Sequence, residues 1–181
     1  MTTVTLPAEP AQVPVLTVEP EAIRRCGSDL LVASAQVDDL GTFAAGDARI
    51  GDWRGASATA YHDGLRPLGR RADAMSLALR GVAQRVDAHA DEMASLEDRR
   101  IGLTDWRLHI VRHLADLRTR VGEATEDQAA ALQAEADGLR REVVRFGTDV
   151  GSWLTDIGTE EQAMLLAFSR VLTLEQVEAA R

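Results

Sequence analysis

Residues 53–99 read WRGASATAYHDGLRPLGRRADAMSLALRGVAQRVDAHADEMASLEDR, and the apolar spacing within them decides the fold class. Tyr61, Leu65, Leu68, Ala72, Met75, Leu79, Val82, Val86, His89, Met93 and Leu96 recur at alternating intervals of four and three. Such a stripe keeps to one side of an α-helix for many turns, as in helices packed side by side. Pro67 lies inside the stripe and removes one N–H from the ladder, so a kink or a restart is expected there. Gly64 and Gly69 weaken the same stretch.

Upstream, Ile23, Cys26, Leu30, Ala33, Val37, Leu40 and Ala44 keep the same rhythm and predict a first helix ending near Phe43. Thr17, Glu19, Pro20 and Glu21 read as its start, with proline and acids in the first turn. Gly41, Gly46 and Gly51 break the chain before the second helix. Downstream, Gly102 predicts another break and Thr104 the start of a third helix, with Leu103, Trp106, Ile110, Leu114, Leu117 and Val121 as its core face. Thr125 and Gln128 form a capping-box pattern for a fourth helix. Its stripe is Leu132, Ala136, Leu139, Val143, Phe146, Val150, Trp153 and Ile157, with Gly147 and Gly151 weakening the last turns. Thr159 with Gln162 suggests one more cap, before Met164, Leu165, Phe168 and Leu172, and a short or frayed tail. The expected organisation is a disordered lead-in over 1–18, a helical hairpin over 19–100, and a C-terminal helical pair with tail over 101–181.

Composition agrees with an all-α chain. Hydrophobic residues make up 45% but aromatics only 4%, a mix that suits helix bundles better than sheets. Four of the five prolines fall within the first twenty residues, outside the periodic segments. The net charge of -9 argues against nucleic-acid binding, which needs a basic surface. All 20 basic residues are arginine, as coding bias in a GC-rich, actinobacterial genome would produce. Cys26 is the only cysteine and sits on the apolar stripe, where a small buried hydrophobe is expected. The start of the chain lacks the basic and apolar regions of a cleaved signal peptide, and no segment approaches the length of a membrane span.

Trp53-Arg54-Gly55 falls between the first two helices. Glycine at a bend supplies an unusual dihedral or a close backbone approach, and a tryptophan beside it can cover the open end of a hairpin seam. A helical hairpin with Trp-x-Gly at its bend resembles the WXG family of small proteins exported by type VII (ESX) secretion systems. The resemblance covers residues 18 to 100. It implies an antiparallel hairpin that packs into a four-helix bundle, recognition by the export machinery, and secretion without a cleaved signal peptide. In that family a Tyr or Trp followed four residues on by an acid often completes the export signal. Tyr61 is followed there by Leu65, Trp106 by Ile110 and Trp153 by Ile157, so a partner or another determinant would have to supply the acid.

A two-helix hairpin buries too little apolar surface to stand alone. Its expected interface is Ile23, Leu30, Val37 and Leu40 on the first helix, with Leu68, Met75, Leu79, Val82 and Val86 on the second. Either a second WXG-type chain supplies two more helices, or the third and fourth helices do so internally and make a self-contained monomer. The remaining polar residues point away from catalysis. His109 and His113 share a helix face near Asp105 and Asp116, but the acid that follows the first histidine in a zinc-protease helix is replaced by Ile110. His89, inside the stripe, reads as a buried, singly hydrogen-bonded histidine or a partner contact rather than a catalytic base. No nucleophile elbow, phosphate loop or paired thiols are present, and no enzyme activity, metal or cofactor is expected. The alternative to the secretion reading is a cytoplasmic helical-bundle scaffold.

Overall fold

A computed structural model describes residues 4–47 and 53–179. Three long helices, Pro20–Thr42 (α1), Ala56–Glu123 (α2) and Ala129–Ala179 (α3), carry the chain and pack together. No strand occurs among the described residues. A π-helical turn, Phe43–Asp47, ends α1, and a 3-10 turn, Glu126–Gln128, opens α3. Gly51, the last of the glycines expected to break the chain before α2, lies outside the described residues.

Local chemistry explains the helix limits. α1 begins with Pro20 in its first turn and Glu21 behind it. There the missing N–H has no intrahelical partner to lose, and the acid meets the positive end of the helix dipole. Between α2 and α3 the Thr125 N–H donates to Gln128 Oε1 at 3.0 Å, the back half of the capping box expected there.

The break expected at Gly102 does not form. α2 runs through Pro67 and Gly102 for 68 residues, so the expected second and third helices are one. A glycine in a helix interior costs only about 1 kcal/mol relative to alanine, less than the burial of Leu96, Leu103 and Ile110 around it returns. Thr104 does not cap a new helix; its hydroxyl donates back to the Arg100 carbonyl at 2.8 Å, as threonine does inside a helix. Thr159 repeats this in α3, donating to the Thr155 carbonyl at 2.9 Å, and α3 passes through Gly147 and Gly151 unbroken.

The chain divides into two compact units. One comprises Met1–Thr17 with Ala94–Thr159, the other Val18–Met93 with Glu160–Arg181. In the first, α2 and α3 form an antiparallel pair whose core is Leu96, Leu103, Ile110, Leu114 and Leu117 against Leu132, Ala136, Leu139, Phe146 and Trp153. The Trp153 indole is 1% exposed, and its N–H donates to the Leu96 carbonyl at 2.9 Å. Trp106 meets the Phe146 ring edge-on at 5.6 Å and donates to Glu142 at 2.9 Å.

Residues 4–17 have no regular secondary structure, but they are tied to these two helices. Pro7 and Pro10 are buried, and Arg107, Gln133 and Arg140 bind the backbone beside them. The physical reason lies in the groove that two helices leave along their open side. Proline fits it well, having no N–H to satisfy and little conformational freedom to lose.

In the second unit α1 packs on α2 through small residues. Gly27, Ser34 and Gly41 are the buried residues of α1, seven apart. Gly69, Ser76, Ala83 and Ala90, also seven apart, are buried on α2. Ser34 Oγ lies 3.1 Å from both the carbonyl and the hydroxyl of Ser76. A Cβ on Gly41 would come within 3.2 Å of Ala72 Cβ and 3.7 Å of the Gly69 carbonyl, so the backbones approach closely.

The expected hairpin interface is corrected accordingly. Val82 and Val86 are buried, Ile23, Leu30, Val37 and Leu79 are half-buried, and Leu40, Leu68 and Met75 are exposed. With glycine and serine on the line of closest approach, the larger side chains are displaced to its flank. Cys26, expected to be buried, is exposed for the same reason, since it lies beside Gly27 and outside the seam.

Candidate partner-recognition surface

Small residues in the seam set the character of the face beside it. In an antiparallel pair, the positions one before Gly41 and one before Gly69 point to the same side. These are Leu40 and Leu68, and the heptad continues on α2 through Met75, Val82, His89 and Leu96. Burial along this row changes in one step between Met75 and Val82. Leu68 is 44% and Met75 39% exposed, whereas Val82, His89 and Leu96 are all below a tenth.

The covered end of the row is covered by α3. Glu160 accepts from Arg85 at 2.5 Å and lies 3.0 Å from His89 Nδ1. Among the described residues His89 therefore has one side-chain partner, in a buried setting. The open end holds Leu40, Leu68 and Met75, each between 39% and 51% exposed. A groove of about 490 Å³ lined by Ala45, Leu65, Arg66, Gly69, Arg70 and Asp73 lies on the opposite flank of the seam and includes none of the three.

Trp53 and Gly55 stand at the entrance to α2. Gly55 has φ +105, a conformation that side-chain-bearing residues rarely adopt, and its carbonyl accepts the Thr59 N–H at 3.1 Å. A Cβ there would meet nothing within 4 Å, so glycine is required by the dihedral alone. Of the two roles open to this glycine, the unusual dihedral applies and the close approach does not. Trp53 is 37% exposed and packs on Tyr61, ring centroids 5.4 Å apart. Tyr61 is itself 38% exposed, so the two rings form a half-exposed aromatic pair at the first turns of α2.

His109 and His113 do not converge with the acids expected near them. Their ring centroids are 6.4 Å apart, and His113 Nε2 lies 3.0 Å from Glu135 Oε1 on α3. Glu135 also accepts two hydrogen bonds from Arg120. The hydrogen bonds from Arg120 and then from His113 hold the Glu135 carboxyl below its ordinary value. Among the described residues no three His, Cys, Asp or Glu side chains are grouped to hold a metal ion. No described helix is long and apolar enough to cross a membrane.

The small-residue heptads were the signal that large-residue periodicity obscured. Gly27-Ser34-Gly41 and Gly69-Ser76-Ala83-Ala90 are both visible in the sequence once small residues are counted as seam positions. Comparison with protein-family models, with curated proteins and with solved structures finds no match.

Proposed function

We propose that this chain is a non-enzymatic, type VII secretion-associated protein of the WXG kind. It acts as an exported adaptor or effector-targeting module through helix–helix packing. The observation that carries this reading is the apolar row beside the α1–α2 seam, which is buried from Val82 onward, where Glu160 of α3 meets Arg85 and His89, and is exposed at Leu40, Leu68 and Met75. A partner helix laid on that end would bury those side chains, each worth ~1 kcal/mol or more once taken from half-exposed to buried. It would also complete α1, α2 and α3 into a four-helix-type bundle. Trp53 and Gly55 at the entrance to α2 support the family resemblance. The protein would leave the cell without a cleaved signal peptide, in company with a partner that supplies the missing acidic determinant.

The second reading, a cytoplasmic helical scaffold, is favoured by the first unit, where α2, α3 and the docked lead-in form a closed core without a partner. Export separates the two. Tagged wild type and Trp53→Ala would be expressed in an actinobacterial host with and without its type VII ATPase. Trp53→Ala suits the test because Trp53 is half-exposed and its loss leaves the seam intact. ATPase-dependent wild type in the culture filtrate, reduced in the variant, supports the secretion reading. Retention of both in the cell, with neighbouring candidate partners co-expressed, leaves the scaffold.

A further inference from the structure

We infer that the α2–α3 groove of the first unit is a binding site for an extended peptide carrying two prolines three residues apart, with an acid before the second. The chain's own lead-in is its occupant in cis. This inference concerns the other compact unit and stands independently of the export reading.

The contacts resemble those of a receptor holding a peptide. Thr5 donates its N–H to Gln133 Oε1 at 2.9 Å and accepts from Arg140 at 2.8 Å. Arg107 donates to the carbonyls of Pro10 and Ala11, both at 3.1 Å, and to the Glu9 carboxylate at 2.9 Å. All but the last of these bonds engage main-chain atoms. Main-chain recognition requires an extended ligand, because a helix would have used those groups internally. Side-chain selectivity then falls to Pro7 and Pro10, which are buried, and to Glu9; Ala8 and Ala11 between and beside them are exposed.

The groove side is pre-arranged. Asp137 accepts from Gln133 at 2.9 Å and from Arg140 at 2.6 Å, so the two groups that hold Thr5 are oriented by their own helix. A pre-oriented receptor and a proline-stiffened ligand both reduce the entropy lost on binding. Beyond the docked residues the tether is open, with Val15 74% exposed. A tethered segment acts at an effective concentration on the order of millimolar, so a peptide in trans is excluded until the tether is cut or its segment is displaced.

The test keeps the full chain. A specific protease recognition sequence is inserted after Val15, the folded protein is cleaved, and binding of a fluorescein-labelled peptide of residues 4–12 is followed by anisotropy. We expect no binding to the intact chain and saturable binding to the cleaved one. A peptide with Pro7→Ala and Pro10→Ala should bind at least about tenfold more weakly, as should the wild-type peptide to a cleaved Arg107→Ala chain. Far-UV circular dichroism of the Arg107→Ala chain should match the wild type. Failure of the cleaved chain to bind the peptide, or equal binding of a scrambled one, would overturn the proposal. Concentration-dependent dimers of intact wild type, lost in Arg107→Ala, would replace the foreign peptide by the lead-in of a second copy.

Discussion

Replacing Ser34 by leucine tests the packing mode on which the functional reading rests. Ser34 is 1% exposed, and its hydroxyl meets the Ser76 carbonyl, the Ser76 hydroxyl and Arg80 Nε, each at 3.1 Å. Leucine in this position must force the helices apart, at a cost of ~1–3 kcal/mol for overpacking. It also deprives the buried Ser76 hydroxyl and the Arg80 guanidinium of a partner, worth ~1–3 kcal/mol more. Better helix propensity returns only about 0.5 kcal/mol. The net expectation is a loss of about 3 kcal/mol, on the order of 10 °C in Tm for a chain of this size. Leu40→Ala is the matched control; at 51% exposure it should cost about 1 kcal/mol. A seam built on Leu40 and its heptad partners predicts the opposite order. The assay is urea unfolding by far-UV circular dichroism. Amide exchange of α1 peptides localises the change, since two compact units need not unfold together. If Ser34→Leu is neutral or stabilising while Leu40→Ala is costly, the small-residue seam is wrong.

Trp53→Ala should cost about 1 kcal/mol, the worth of one half-exposed aromatic pair, rather than the several expected of a buried indole, and chemical unfolding reads the difference. Gly55→Ala should cost ~1–3 kcal/mol through the φ of +105 alone, with no steric component, so Gly55→Asn should cost less than Gly55→Ala. The acid limb of stability should respond to Glu135. Its folded pKa is lowered, so its contribution is present above the unfolded carboxyl value of about 4.3 and is lost as pH falls through the lowered folded value. Glu135→Gln should therefore destabilise at neutral pH, with the deficit closing below about pH 4 in a Tm-versus-pH series.

How much of this was legible depended on side-chain size. Large apolar residues at four-three spacing placed α2 and α3 well, because in the first unit the interhelical space is filled by Leu103, Ile110, Leu114, Leu139, Phe146 and Trp153. Those residues are both readily visible in a pattern and buried. In the second unit the same reasoning found the buried Val82 and Val86 but otherwise selected the flank, since much of the contact line there is glycine, serine and alanine, which a pattern of large side chains passes over. Gly102 misled for a related reason. A single glycine signals a break only when nothing else holds the turn, and Leu103 and Thr104 hold this one. The docking of residues 4–17 could not be read at all, because an irregular proline-rich segment has no periodicity and its partners Arg107, Gln133 and Arg140 lie far away in sequence.

The small-residue seam and the open apolar row are two aspects of one arrangement. A hairpin closed by leucines spends its large side chains on itself and has little left to offer. Here Gly27, Ser34 and Gly41 let the backbones meet, so Leu40, Leu68 and Met75 are free to serve as contact surface without being needed for the fold. This separates stability from recognition in a measurable way. Leu68→Ser with Met75→Ser should lower stability by only about 1–2 kcal/mol in urea unfolding, because both side chains are already about two-fifths exposed. On the proposed secretion reading, the same pair should abolish ATPase-dependent export and co-purification of any exported partner, as removing the centre of a small apolar contact does. Ser34→Leu should do the reverse at permissive temperature, weakening the fold while leaving that surface chemically intact. If the Leu68 and Met75 pair unfolds the chain, the row is core after all. If it leaves both stability and export untouched, the open end of α1 and α2 is not where a partner binds.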